Sequence, residues 1–81
     1  MDERMKELIA IGASAAVNCH PCMQYHLSEC DRLGIGRDES RAAAEVGMAV
    51  AKGAAAKTRT YLDTLLGAAA ETRSDRGCGC V

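Results

Sequence analysis

Cys19-His20-Pro21-Cys22-Met23-Gln24-Tyr25-His26 is the stretch on which the fold of this chain turns. Proline has no amide hydrogen and its ring clashes with the preceding turn, so one helix cannot run unbroken through Asn18-Cys19-His20-Pro21. The same residue suits the first turn of a new helix. The spacing therefore predicts a second helix that opens between Asn18 and Pro21 and continues to Leu33. On it Cys19, Cys22 and His26 stand at i, i+3 and i+7, which is one face. Two helices joined this tightly form an antiparallel or strongly angled hairpin.

Upstream, residues 2–17 read as the first helix. Asp2 is a suitable cap, and Met5, Leu8, Ile9, Gly12 and Ala16 recur at helical spacing as an apolar face. Glu7, Ile11 and Ser14 form the neighbouring stripe, with Glu7 at its edge. In the second helix Met23, Leu27 and Cys30 make the apolar stripe, and Gly34 is the expected C-terminal cap. Cys30 reads as a core residue, since free cysteine is among the most buried residue types.

Downstream, Gly34-Ile35-Gly36-Arg37 reads as a turn and Asp38 as the N-cap of a third helix over about 39–52. Its apolar positions are Ala42, Ala43, Val46, Ala49 and Val50. Gly53 is expected to interrupt it. A further helical stretch, 54 to about 72, carries Tyr61, Leu62, Leu65, Leu66 and Ala69. No β-branched alternation or hairpin turn is present, so the chain reads as an all-α, small helical bundle. The domain is expected to span 1–73, with 74–81, Ser74-Asp75-Arg76-Gly77-Cys78-Gly79-Cys80-Val81, as a flexible glycine- and cysteine-bearing tail.

Eighty-one residues allow one small domain, with no Phe, no Trp and two Tyr. Much of the apolar share is alanine, whose side chain buries little area at about 25 cal/mol per Å². Such a chain needs crosslinks, metal or partner subunits for stability, and an oligomer is expected. A net charge of -1 and the lack of a basic patch argue against nucleic acid. No apolar run approaches the roughly 20 residues of a membrane span, and the acidic start is unlike a signal peptide. The expectation is a soluble, cytoplasmic protein. In a reducing compartment the five cysteines point to catalysis or metal before structural disulfides.

A Cys-x-x-Cys at a helix start favours the thiolate, because the amide dipoles stabilise negative charge there. Cys22 lies in the first turn, and Cys19 is close enough to resolve a sulfenic acid or mixed disulfide. His26, one turn beyond Cys22, is placed to move a proton. Glu7 and His26 are offset by roughly 6 Å along a hairpin at 1.5 Å per residue, within side-chain reach. A carboxylate there would fix the imidazole tautomer and raise its basicity. Two other readings compete. Both cysteines could be buried small hydrophobes, or Cys19, Cys22 and His26 could hold zinc or a soft metal with Cys78 or Cys80 as fourth ligand.

Glu7, eleven residues, Cys19, two residues, Cys22, three residues and His26 together resemble the core motif of the AhpD-like, carboxymuconolactone decarboxylase superfamily. The following Leu-Gly-Ile-Gly-Arg-Asp-Glu-Ser is similar to that family's continuation, and the resemblance covers about residues 5–55. It implies an all-α bundle assembled as a trimer or hexamer. It implies a thiol-dependent hydroperoxide reductase or disulfide reductase of peroxiredoxin type. Cys22 would then attack peroxide, Cys19 would resolve and face the partner, and His26 with Glu7 would relay protons. No bound cofactor is implied; an external dithiol, dihydrolipoamide-like or thioredoxin-like, or a partner peroxiredoxin would exchange electrons with the pair. The branch that decarboxylates muconolactones lacks this dithiol. The well-studied hydroperoxidase carries His directly before the second cysteine, where this chain has Pro21, with His20 one place earlier. The chain also corresponds to about one motif-bearing half of longer members.

Overall fold

The computed structural model describes residues 1–67, and within them the chain forms three helices. These are α1 (Glu3–Ala16), α2 (His20–Arg32) and α3 (Arg37–Leu66), with no strand among the described residues. The all-helical reading holds. The tail, including Cys78 and Cys80, and the stretch 68–72 assigned to a last helix lie outside the described residues.

Each turn is set by local chemistry. Asp2 caps α1, its carboxylate accepting the Met5 amide at 2.8 Å. At the other end Asn18 adopts φ 57, the left-handed conformation that asparagine tolerates better than most residues. This lets the Asn18 amide donate to the Ala15 carbonyl at 3.2 Å and the Cys19 amide to the Ser14 carbonyl at 3.0 Å. The paired bonds are those of a Schellman termination. Cys19 is then the N-cap of α2, and Pro21 sits in the first turn, where its missing donor costs nothing. α2 ends in the same way. Gly34 takes φ 78, with its amide on the Asp31 carbonyl at 3.0 Å and the Ile35 amide on the Cys30 carbonyl at 2.9 Å. Cys30 and Ile35 are both buried, so the apolar contact that accompanies such caps closes this corner.

α3 corrects the expected segmentation. It is one helix of 30 residues, with no interruption at Gly53. A helical glycine costs only about 1 kcal/mol relative to alanine, and Ala49, Ala51, Ala54, Ala55 and Ala56 around it are the strongest helix formers. The N-cap is Gly36, not Asp38. Asp38 lies in the first turn, where its carboxylate accepts the Glu39 amide at 3.0 Å. The helix stops at Leu66 because Gly67 takes φ 88.

The buried faces also differ from those expected. In α1 the buried residues are Glu7, Ile11, Gly12, Ser14 and Ala15, while Met5 and Ile9 stay about half exposed. The neighbouring stripe is thus the inner one. In α3 the buried positions are Ser40 and Gly47, and Val46 and Val50 face outward. The reason lies in how α1 crosses α3: a Cβ added at Gly12 would stand 2.9 Å from the Ala43 carbonyl oxygen, and one at Gly47 would overlap the Gly12 carbonyl. The backbones touch, so small residues occupy the crossing and the larger ones flank it. Arg4 and Glu39 pair at 2.6 Å across the same two helices.

α1 packs on both other helices, whereas α2 and α3 meet little beyond their shared turn. The molecule measures 49 × 23 × 19 Å, and its long dimension is that of α3, about 45 Å at 1.5 Å per residue. Residues 52–67 are exposed throughout. The second half of α3 therefore projects beyond the bundle.

Candidate active site

The hairpin of α1 and α2 gathers the predicted residues. Glu7 is buried on the inner stripe of α1, and its Oε1 lies 2.7 Å from Nδ1 of His26 on α2. The side chains keep 11% and 26% of their accessible area respectively, enough seclusion to strengthen the pair. A carboxylate at that distance takes the hydrogen of Nδ1, which leaves Nε2 as the free basic nitrogen of the ring. Cys30 holds the same turn from behind: fully buried, it directs its Sγ at the Glu7 carbonyl oxygen at 3.9 Å. The core reading of Cys30 holds. Tyr25 stands edge-on to His26, ring centroids 5.0 Å apart, and nothing in the spacing had marked it.

Cys19 and Cys22 are joined as a disulfide, their Cα atoms 5.2 Å apart. Both are half-buried, so neither is a sealed core thiol. One detail modifies the expected electrostatics. The amide of Cys22 donates to Sγ of Cys19 at 3.3 Å, so the helix start is capped by the first cysteine's own sulfur. The stabilisation that a helix N-terminus gives a thiolate is therefore received at Cys19 directly, and not only at Cys22. His20, in the first turn, is exposed.

Among the described residues the ligands of the metal reading are not brought together, and its fourth position, Cys78 or Cys80, lies outside them. No group of three or more His, Cys, Asp or Glu converges on a metal position among the described residues. The Cys19 and Cys22 sulfurs are bonded to one another, and Nδ1 of His26 faces Glu7.

A groove of about 530 Å³ is formed by α1, α2 and the first turns of α3, and the sequence reading had given its polar residues no role. Its walls include Ile11, Met23 and Leu27, with Arg37, Ser40 and Arg41 from the first turns of α3. The available signal was the i, i+3, i+4 spacing of those last three residues. The expected start of the third helix at 39 split them between turn and helix.

A helical hairpin that sets a vicinal cysteine pair beside a secluded carboxylate–imidazole couple defines a class of small all-α dithiol proteins. Within that class the chain belongs to the carboxymuconolactone decarboxylase family, whose model matches residues 1–63 and so takes in α1, α2 and nearly all of α3. The family includes alkylhydroperoxidases as well as decarboxylases. No curated protein and no solved structure matched the chain. None of the described helices is long and apolar enough to cross a membrane.

Proposed function

We propose that this protein is a thiol-dependent oxidoreductase of the alkylhydroperoxidase type, reducing a hydroperoxide or a disulfide through Cys19 and Cys22. The observation that carries the reading is the 2.7 Å contact between Glu7 and His26 on the face of the hairpin that also bears the cysteine pair. A structural disulfide has no use for a secluded base one turn away; a redox-active one has.

The chemistry runs from the reduced pair. The Cys22 thiolate attacks the distal oxygen of a hydroperoxide, the O–O bond breaks, and Cys22 becomes a sulfenic acid. The departing alkoxide takes from Nε2 of His26 the proton that the Cys22 thiol gave up, while Glu7 holds Nδ1, and leaves as the alcohol. Sγ of Cys19 then attacks the Cys22 sulfur, water departs, and the disulfide forms. An external dithiol returns the two electrons by exchange at the exposed edge of the pair. Dihydrolipoamide-like or thioredoxin-like donors, or a partner peroxiredoxin, fit that requirement, and no bound cofactor is needed. The setting that suits the cycle is the cytoplasm, where such donors are kept reduced.

Self-association belongs to the same proposal, with a trimer or hexamer as the assembly. A groove of about 510 Å³ between α1 and α3 is lined by Met5, Leu8, Ile9, Val46 and Val50. Beyond it Tyr61, Leu65 and Leu66 project from α3 with more than half of their surface exposed. An isolated helical stretch of this length is marginal in water, and a second copy would cover it.

The deciding experiment is a steady-state assay that offers peroxide, insulin disulfides and dihydrolipoamide in parallel to the wild type and to Cys22→Ser. Turnover that disappears with Cys22→Ser is expected. Wild-type turnover in Cys22→Ser with loss in Cys19→Ser would exchange the two roles, and inactivity of the wild type toward all substrates would end the reading.

A further inference from the structure

The groove formed by α1, α2 and the first turns of α3 has two chemically distinct parts. Its floor is apolar, built from Ile11, Met23, Leu27 and Ala44. Three of these are chain neighbours of the redox residues: Met23 succeeds Cys22, Leu27 succeeds His26, and Ile11 lies one turn beyond Glu7. Its rim is polar and comes from one face of α3, where Arg37, Ser40 and Arg41 stand at i, i+3 and i+4, with Asp38 beside them. At about 530 Å³ the groove has the dimensions of a site for a small organic molecule.

Ser40 is the anomaly. Every other helical serine or threonine among the described residues (Ser14, Ser28, Thr58, Thr60 and Thr64) donates its hydroxyl to the carbonyl four residues back. Ser40 does not. It is 2% exposed, and its Oγ has no hydrogen-bond partner. A buried hydroxyl without a partner costs about 1–3 kcal/mol, and Ser40 is one of the residues that line the groove.

The charges at the rim are unequal in their freedom. Arg37 commits Nε and Nη2 to Asp31 at 3.0 and 2.8 Å. Asp38 accepts the Glu39 amide at the start of α3, where the helix dipole favours its charge. Arg41 is held by Glu45 through Nε alone, at 3.1 Å, which leaves both of its Nη groups to bind an anion. α3 has no side-chain N-cap bond from Gly36, so the field at its first turn has the same sign.

The geometry points to a substrate with an apolar body and a carboxylate end: the body lies on Ile11, Met23 and Leu27, the carboxylate meets Arg41 and Ser40, and the reactive end reaches Cys22. This rests on the proposed function and narrows it to hydroperoxides carrying an anionic group at the far end from the O–O bond. The redox step is unchanged, with the O–O bond cleaved at the Cys22 sulfur and the alcohol released.

Two arms test the assignment. The first compares cumene hydroperoxide with its para-carboxylate. The carboxylated compound is expected to have a kcat/KM at least about tenfold higher. Arg41→Gln brings the ratio to near one, Arg41→Lys retains part of it, and Arg59→Gln, an exposed α3 arginine away from the groove, leaves it intact. A ratio near one in the wild type, or a ratio that survives Arg41→Gln, overturns the proposal. The second arm needs no turnover: binding of unreactive 4-isopropylbenzoate and of isopropylbenzene to the oxidised protein is followed by amide chemical shifts. Selective binding of the carboxylate, weakened by Arg41→Gln and Ser40→Ala, supports the site even if no peroxide is reduced. Equal or absent binding of the two compounds overturns it whatever the redox activity.

Discussion

Nδ1 of His26 and Oε1 of Glu7 meet at 2.7 Å although 19 positions separate the two residues, and the contact spans the α1–α2 hairpin. The carboxylate is secluded on α1 and the imidazole is half-buried on α2, so each side chain is the other's main polar partner. If the pair relays protons, His26→Gln lowers kcat by about 10²-fold or more. Glu7→Gln, which keeps the shape and loses the charge, gives a smaller loss. Both variants should retain the helical circular dichroism spectrum, which separates a catalytic defect from unfolding.

The crossing of α1 and α3 tolerates no side chain at Gly47. Gly47→Ala forces a methyl group against the Gly12 carbonyl, so the helices must part. Overpacking of this kind costs about 1–3 kcal/mol. Gly53→Ala, where an added Cβ meets nothing within 4 Å, is expected to stabilise by up to about 1 kcal/mol. Urea midpoints of the two variants, moving in opposite directions, check the pair.

Asn18 carries the reversal between α1 and α2 at φ 57. Asn18→Gly should be neutral or slightly favourable. Asn18→Val should cost about 1–2 kcal/mol, because a β-branched side chain resists the left-handed region. Thermal unfolding reports both changes. The valine variant should also lose amide-exchange protection at Cys19, whose bond to Ser14 depends on that turn.

Asp31 titrates below its ordinary carboxylate value because Arg37 hydrogen-bonds its carboxylate and adds a favourable charge. A depressed carboxylate contributes stability above its unfolded pKa and loses it as pH falls through the folded one. The α2–α3 clamp is thus intact at neutral pH and is released only in acid, as pH falls through the depressed pKa of Asp31. An NMR titration of the Asp31 carboxyl should give a midpoint under the ordinary value, and Arg37→Gln should return it upward. The exposed pair adds little to overall stability.

Leu62→Asp and Val46→Glu place charge on the outward face of α3, away from the dithiol. If the chain self-associates through that face, both variants reduce the sedimentation mass to that of one chain. A wild type that already sediments as a monomer would end the oligomer proposal.

How much of this was legible follows from how local each signal is. Cys19, Cys22 and His26 are fixed by helical spacing and by the proline break, both properties of eight consecutive residues. Glu7 was reachable through the rise per residue and the length of the hairpin. The buried face of α1 was misread because hydropathy favours Met5, Leu8 and Ile9 over Glu7 and Ser14. Those two polar residues are buried with partners, His26 and the Ala10 carbonyl, that periodicity does not see. The continuity of α3 was misread because one glycine's local cost was weighed without its alanine surroundings. The lack of a partner for the Ser40 hydroxyl is a tertiary fact with no trace in the sequence.

The connection between α1 and α2 is three residues long and closed by two backbone bonds, and that fixes a distance along the chain. One residue inserted between Glu7 and Cys19 would rotate everything beyond it by about 100° if taken up in the helix. The cysteine pair and His26 would then swing off the face that Glu7 addresses. The eleven residues that separate Glu7 from Cys19 therefore act as a gauge block: their number, more than their identity, holds the base and the sulfurs to one another.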